Sequence, residues 1–280
     1  MPIRSNVDLL PARPASAWRK VSMGSWRPTG DSSVFVELDL TMDALIERWR
    51  SRGAFADPRQ FERRWINPIM ARMLGLAIQS SPESRQVNSI IRWGRVYPRR
   101  RLELFFHASI SPEDLSGVKL SDPESKSVEV LSDEFNSRLS ALRSGEENPF
   151  RKVKQVFRFL PGALSRFALD CTALLSYGLN LDLSALGLPR DPFGSIMVTN
   201  VGSLGIDGGF TIIAPYTRIP CVVAICTLQA KPVVEGDQVV VRQVLRLGMT
   251  FDHRIVDGVH IAKLIAELKR LSANPAEVMP

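Results

Sequence analysis

The sequence predicts an α/β fold in which strands and amphipathic helices are interspersed. Three observations predict it. Val36 to Leu40 alternates apolar and charged residues, the period of a half-buried strand. Ile69, Met70, Met73, Leu74 and Ala77, and later Ile261, Leu264, Ile265, Leu268 and Leu271, recur at the spacing of one helix face. Pro232-Val233-Val234 and Val239-Val240-Val241 flank Glu235-Gly236-Asp237, a hairpin pattern.

Taken in order, residues 1–30 carry Pro2, Pro11 and Pro14 among small and polar residues and read as an extended arm. Residues 31–280 form the folded domain. The strand over 34–40 leads into a helix through Leu45, Ile46 and Trp49, with Thr41 as its cap. Asn67-Pro68 reads as the next helix start, with Asn as cap and Pro at the first helical position, and Pro82 stops that helix. Val87 to Trp93 and Leu102 to Ile110 read as two strands around a basic turn with Arg95, Arg99, Arg100 and Arg101. A strand over 115–122 then precedes a helix through Leu131, Phe135, Leu139 and Leu142. The remaining strands are 194–200, 219–227 and 244–251, and the last helix follows Gly258.

Composition bounds the function. The 280 residues carry a net charge of +7, which favours a polyanionic partner. No zinc-finger spacing, helix-turn-helix or basic repeat is present, so nucleic acid is set aside. No apolar run approaches the ~20 residues of a membrane span, and residues 1–8 have no signal-peptide core. Three cysteines give no disulfide framework. Cys221 and Cys226 fall on opposite faces of one strand, which argues against a shared metal. A cytoplasmic protein without a metal site is expected.

The chemistry concentrates near the C-terminus, in Asp252-His253-Arg254-Ile255-Val256-Asp257-Gly258. An imidazole between a strand and a helix is held by rigid elements on both sides and titrates near neutrality. Gly258 permits a close turn. Alone, the same residues also fit a structural histidine with an aspartate capping the last helix. The whole string resembles the signature of the acyltransferase (E2) catalytic domain of 2-oxo-acid dehydrogenase complexes, which shares its fold with chloramphenicol acetyltransferase. The latter's version begins His-His, and Asp252 stands at the first of these positions. A second stretch, Gly194-Ser195-Ile196-Met197-Val198-Thr199-Asn200-Val201-Gly202-Ser203-Leu204-Gly205, resembles the family's strand ending in Ser-Asn before glycine turns. Thr199 stands at the serine position and keeps a hydroxyl. Gly202, Gly205, Gly208 and Gly209 form no phosphate loop, because no Lys-Ser or Lys-Thr follows.

The resemblance implies a two-layer α+β sandwich, chloramphenicol acetyltransferase-like, with a mixed sheet and packed helices. It implies acyl transfer between coenzyme A and a thiol, such as a dihydrolipoyl group on a partner chain, or an alcohol. His253 would be the general base and Thr199 the oxyanion donor. Asp257 would pair with an arginine, Arg27 or Arg19, and Asp252, Asn200 and Gly258 would support the motif. Active sites between subunits and a homotrimer, or multiple of trimers, follow from the family. A lipoyl domain is not expected in this chain, which reads as stand-alone. A catalytically weak or inactive scaffold with the same fold is the alternative, favoured by Thr199 and disfavoured by His253 and Asp257.

The family pattern breaks at residues 150–190. Phe150, Val153, Val156 and Phe157 mix there with Arg151, Lys152, Lys154 and Arg158, and a second apolar helix runs from about Leu164 to Leu175. Three readings stand: a helical pair packed on the domain, a lid over an acyl pocket, or a membrane-surface contact.

Overall fold

The computed structural model describes residues 32–53, 61–111, 114–145 and 150–280. The arm over 1–30, with Arg19 and Arg27, therefore lies outside the described residues. A six-stranded mixed sheet organises the chain. It contains β1 (Ser33–Thr41), β4 (Glu103–Ser111), β5 (Asp114–Ser121), β6 (Ile196–Asn200), β7 (Cys221–Glu235) and β8 (Gln238–Asp252), in the order β1-β8-β7-β6-β4-β5. β6 runs parallel to β4 and β7, and the other pairs are antiparallel. The separate C-terminal strands read from the sequence fuse into one long hairpin, β7–β8, turned at Gly236 with φ of +58°.

The helices α1 (Asp43–Arg50), α2 (Ile66–Gln79), α3 (Pro82–Arg85), α4 (Val128–Ser144) and α7 (Gly258–Ala273) follow the strands. Leu74, Ile78, Phe135, Leu264 and Leu268 meet Leu104, Phe106, Val198, Val223 and Leu247 in one continuous core. This is the two-layer sandwich that the resemblance implies. Alternation along the strands sends Phe105, His107, Met197 and Val222 to the opposite face.

Residues 150–190 cover part of that second face. The helices α5 (Arg151–Phe159) and α6 (Gly162–Ala173) bury Phe157 and Leu169 against Tyr216, while Phe105, Met197 and Val222 pack with Phe150 and Phe193.

Some local expectations differ. Thr41 does not cap α1, because β1 continues through it to pair with Val244. Met42 holds the cap position without a side-chain bond. Asn67 is inside α2 rather than at its cap, since a π-helical turn over 61–65 starts the helix earlier. The segment 89–92 (β2) pairs with 95–98 (β3) in a small separate sheet instead of with β4. Within the basic turn, the Arg99 side chain is only 10% exposed and pairs with Asp191. Among the described residues, no helix is long and apolar enough to cross a membrane, and no cluster of His, Cys, Asp or Glu is placed to hold a metal.

Candidate active site

The loop from Asp252 to Asp257 leaves the end of β8 and enters α7. Tight hydrogen bonds from the Ile255 and Val256 N–H groups to the Asp252 carbonyl (2.9 and 3.1 Å) fold it. Ile255 and Val256 turn into the core, while His253 and Arg254 turn outward. The Gln86 side chain donates to the Ile255 carbonyl at 3.2 Å, and the His253 N–H donates to the Ser32 carbonyl at 2.9 Å. The backbone under His253 is thus held from two sides. Its imidazole is exposed and has no partner among the described residues.

Asp252 is the buried anchor of this loop, 5% exposed. Arg254 Nε and Nη2 donate to its carboxylate at 2.9 and 2.6 Å, and the Ser32 hydroxyl donates at 2.8 Å. Burial alone would raise the Asp252 carboxyl, but the hydrogen bonds from Arg254 and Ser32 outweigh it and hold the group below the usual carboxylate range.

Asp257 has a different place. Its carboxylate accepts the Val259 N–H at 3.0 Å, and its own N–H donates to His260 Nδ1 at 3.1 Å. This reciprocal arrangement is a capping box at the start of α7. His260 Nδ1 also lies 2.8 Å from the Asp257 carboxylate. A nitrogen accepting the N–H carries no proton, so the capping box describes the neutral ring and the ion pair the protonated one. The arginine partners expected for Asp257, Arg27 and Arg19, lie outside the described residues.

Thr199 is near the end of β6, half-buried, and its hydroxyl has no partner among the described residues. Asn200 beside it donates from Nδ2 to Asn67 Oδ1 at 2.9 Å and accepts the Ser203 N–H at 3.0 Å, which fixes the turn after the strand. Gly202 is needed there, because an added Cβ would sit 2.5 Å from the Cys226 backbone. Gly258 has open space around it, so it relieves no close contact of this kind.

The strand register separates the two principal candidates. Thr199 is level with Ala224, which is level with Gly248 on β8. His253 lies beyond the far end of β8, past Asp252 opposite Ser33. Five residues at about 3.4 Å each, with two strand spacings of about 4.8 Å, give a separation on the order of 20 Å within one chain. The chain does not bring His253 and Thr199 together by itself.

One neighbour of Thr199 was not singled out in the sequence. The parallel register pairs Phe105 with Met197 and Phe106 with Val198. Continued by one residue, it sets His107 beside Thr199. His107 Nε2 is 3.4 Å from Met197 Sδ, and burial pushes the imidazole down to about 4. The only local signal is the two-residue spacing from Phe105.

Comparison with known proteins adds the family. Residues 193–280 match the model described as 2-oxoacid dehydrogenases acyltransferase (catalytic domain). Over 78 residues the chain is 35% identical to the lipoamide acyltransferase component of the branched-chain alpha-keto acid dehydrogenase complex of Pseudomonas aeruginosa, covering 27% of this chain and 18% of that protein. Over 90 residues it is 33% identical to the dihydrolipoyllysine-residue acetyltransferase component of the pyruvate dehydrogenase complex of Acholeplasma laidlawii, covering 32% of this chain and 16% of that protein. The chain thus spans under a fifth of the length of these curated relatives. Among solved structures, the Azotobacter vinelandii dihydrolipoamide acetyltransferase superposes with a TM-score of 0.68 at 15% identity, covering 99% of each chain. The cubic core of a pyruvate dehydrogenase multienzyme complex gives 0.67 at 14% identity, again over 99% of each. The family match is confined to residues 193–280, and the fold of the whole chain is that of these cores.

Proposed function

We propose that this protein is a coenzyme A-dependent acyltransferase whose active site forms between two copies of the chain, one supplying His253 and the other Thr199. The observation that carries this reading is the register: both groups are accessible and without partners among the described residues, yet on the order of 20 Å apart in one chain. A homotrimer, or a multiple of trimers, is the assembly proposed to close that gap. The acceptor is a thiol of the dihydrolipoyl type, carried on another chain, or an alcohol.

In the reaction, His253 takes the proton from the acceptor thiol, because the thiolate is the effective nucleophile. The sulfur attacks the thioester carbonyl, and its oxygen takes the negative charge. Thr199 donates a hydrogen bond to that oxyanion, a contribution of roughly 2.7–4 kcal/mol to the barrier. The intermediate collapses, the C–S bond to coenzyme A breaks, and protonated His253 returns the proton to the leaving thiolate. The structure of the Azotobacter protein concerns the roles of a serine, a histidine and an asparagine four residues beyond it in the catalytic mechanism. The spacing from His253 to Asp257 is the same, and Thr199 offers the hydroxyl.

Residues 150–190 are assigned to roofing the sheet, since their own Phe157, Leu169 and Ala173 are buried.

The test is subunit complementation. His253→Ala and Thr199→Ala chains are each assayed for thiol release from acyl-CoA, then co-expressed and purified as mixed assemblies. Each alone is expected to be impaired, and the mixture is expected to recover activity, because some seams pair an intact His253 with an intact Thr199. No recovery would overturn the shared site. No turnover by wild type with any acyl-CoA and lipoyl or alcohol acceptor would leave the alternative, an inactive E2-like scaffold.

A further inference from the structure

On the second face of the sheet, α5 and α6 do not rest flush on β4 and β6. They enclose a cavity of about 110 Å³. Phe105 and Met197 line it from the sheet, Phe150, Phe157 and Ala173 from the insertion, and Tyr216 from the loop before β7. His107 lines it too, beside Thr199 in the strand register. Burial keeps that imidazole neutral at pH 7, so it places no charge against an alkyl group.

We propose that this cavity receives the apolar tail of the acyl group, so that the preferred thioester carries a medium-length or branched acyl chain rather than acetyl. The proposal rests on the reading of Thr199 as the donor to the thioester oxygen. With the carbonyl at Thr199, Met197 is the next residue on the same face of β6, two residues back and about 7 Å away. About six carbons are needed to span that distance, and an acetyl group stops short. A longer tail passes His107 and Met197 and ends among Phe105, Phe150 and Phe157. The mainly apolar wall suits such a tail, with each buried methylene contributing about fourfold in affinity. An apolar acceptor is the other possible source of the same chemistry, and the test separates the two.

The experiment measures binding of acetyl-CoA and octanoyl-CoA by calorimetry to the full chain carrying His253→Ala, so that turnover plays no part. Octanoyl-CoA is expected to bind at least tenfold more tightly. Ala173→Leu, and independently Ser176→Leu on the same wall, are expected to collapse that ratio several-fold. Circular dichroism identifies any variant that does not fold, and the other then decides. Equal affinity for the two thioesters overturns the proposal. So does a ratio unchanged in both folded variants. Equal thioester affinities together with tighter binding of octanethiol than of ethanethiol also overturn it, by giving the cavity to the acceptor. A wild type that turns over acetyl-CoA without octanoyl preference loses the pocket and keeps the acyltransferase. A strong preference without turnover keeps the pocket and loses the enzyme.

Discussion

Arg254 grips the carboxylate of Asp252, two residues before it, through Nε and Nη2 at 2.9 and 2.6 Å. Asp252 is 5% exposed, whereas the Arg254 side chain is 60% exposed. The carboxylate therefore acts as a buried post around which the loop bearing His253 closes. Removing it strands the Ser32 hydroxyl and the Arg254 N–H as well. Asp252→Ala is expected to cost about 2 kcal/mol in urea unfolding and to lower kcat through misplacement of His253. Its stability contribution has a definite sign with pH. The folded group titrates below its unfolded value, so the contribution is present above the ordinary carboxylate range and is lost as pH falls through the lowered folded pKa.

Thr199 tests whether a methyl group matters where the family motif has serine. Thr199→Ala removes the donor and is expected to reduce kcat by about 100- to 1,000-fold with little change in KM. Thr199→Ser keeps the hydroxyl and frees χ1, and is expected to retain or exceed wild-type kcat. Steady-state kinetics with one acyl-CoA check both. Equal losses in the two variants would assign Thr199 to packing.

What was legible in the sequence is what is local. The loop from Asp252 to Gly258 spans a few residues between a strand and an amphipathic helix, and its side chains fold where the pattern places them. Asp257 doubles as a helix cap because a carboxylate ahead of a free N–H satisfies it in any context. What was not legible depends on register between distant strands. His107 meets Thr199 only because β4 and β6 run parallel, with the whole of residues 112–195 between them. Asn67 looked like a cap and instead receives a hydrogen bond from Asn200. The turn over 61–65 had already begun that helix. Thr41 failed as a cap for a related reason, since pairing with Val244 held it in the strand. In each case a tertiary partner overrode a correct local preference.

His107 makes a second pH prediction. Its folded pKa is about 4, against 6.5 for the ordinary group. The unfolded chain therefore binds the proton first as pH falls, and folding must exclude it. The protein is expected to lose stability between about pH 6.5 and pH 4, by at most about 3 kcal/mol from this residue. His107→Leu is expected to flatten that part of the profile. Urea midpoints measured from pH 7.5 to 4.5 for wild type and variant check it. A parallel decline in both would remove His107 from the account.

Asp257 and His260 separate a capping role from a catalytic ion pair. The cap needs only an acceptor for the Val259 N–H, 3.0 Å away. An amide oxygen supplies that as well as a carboxylate does. Asp257→Asn is therefore expected to keep both the melting temperature and kcat near wild type. Asp257→Ala leaves the first turn of α7 uncapped and is expected to cost about 1 kcal/mol, a fall in melting temperature of about 2–4 °C for a domain of this size. The activity of Asp257→Ala at low temperature, where the fold is intact, is expected to fall less than tenfold. An Asp257→Asn variant as inactive as His253→Ala would instead mean that the negative charge itself is required. The partner of that charge would then have to be sought in an arginine such as Arg27 or Arg19, because the cap accounts for every described contact of the carboxylate except His260, whose ring is neutral when it completes the capping box.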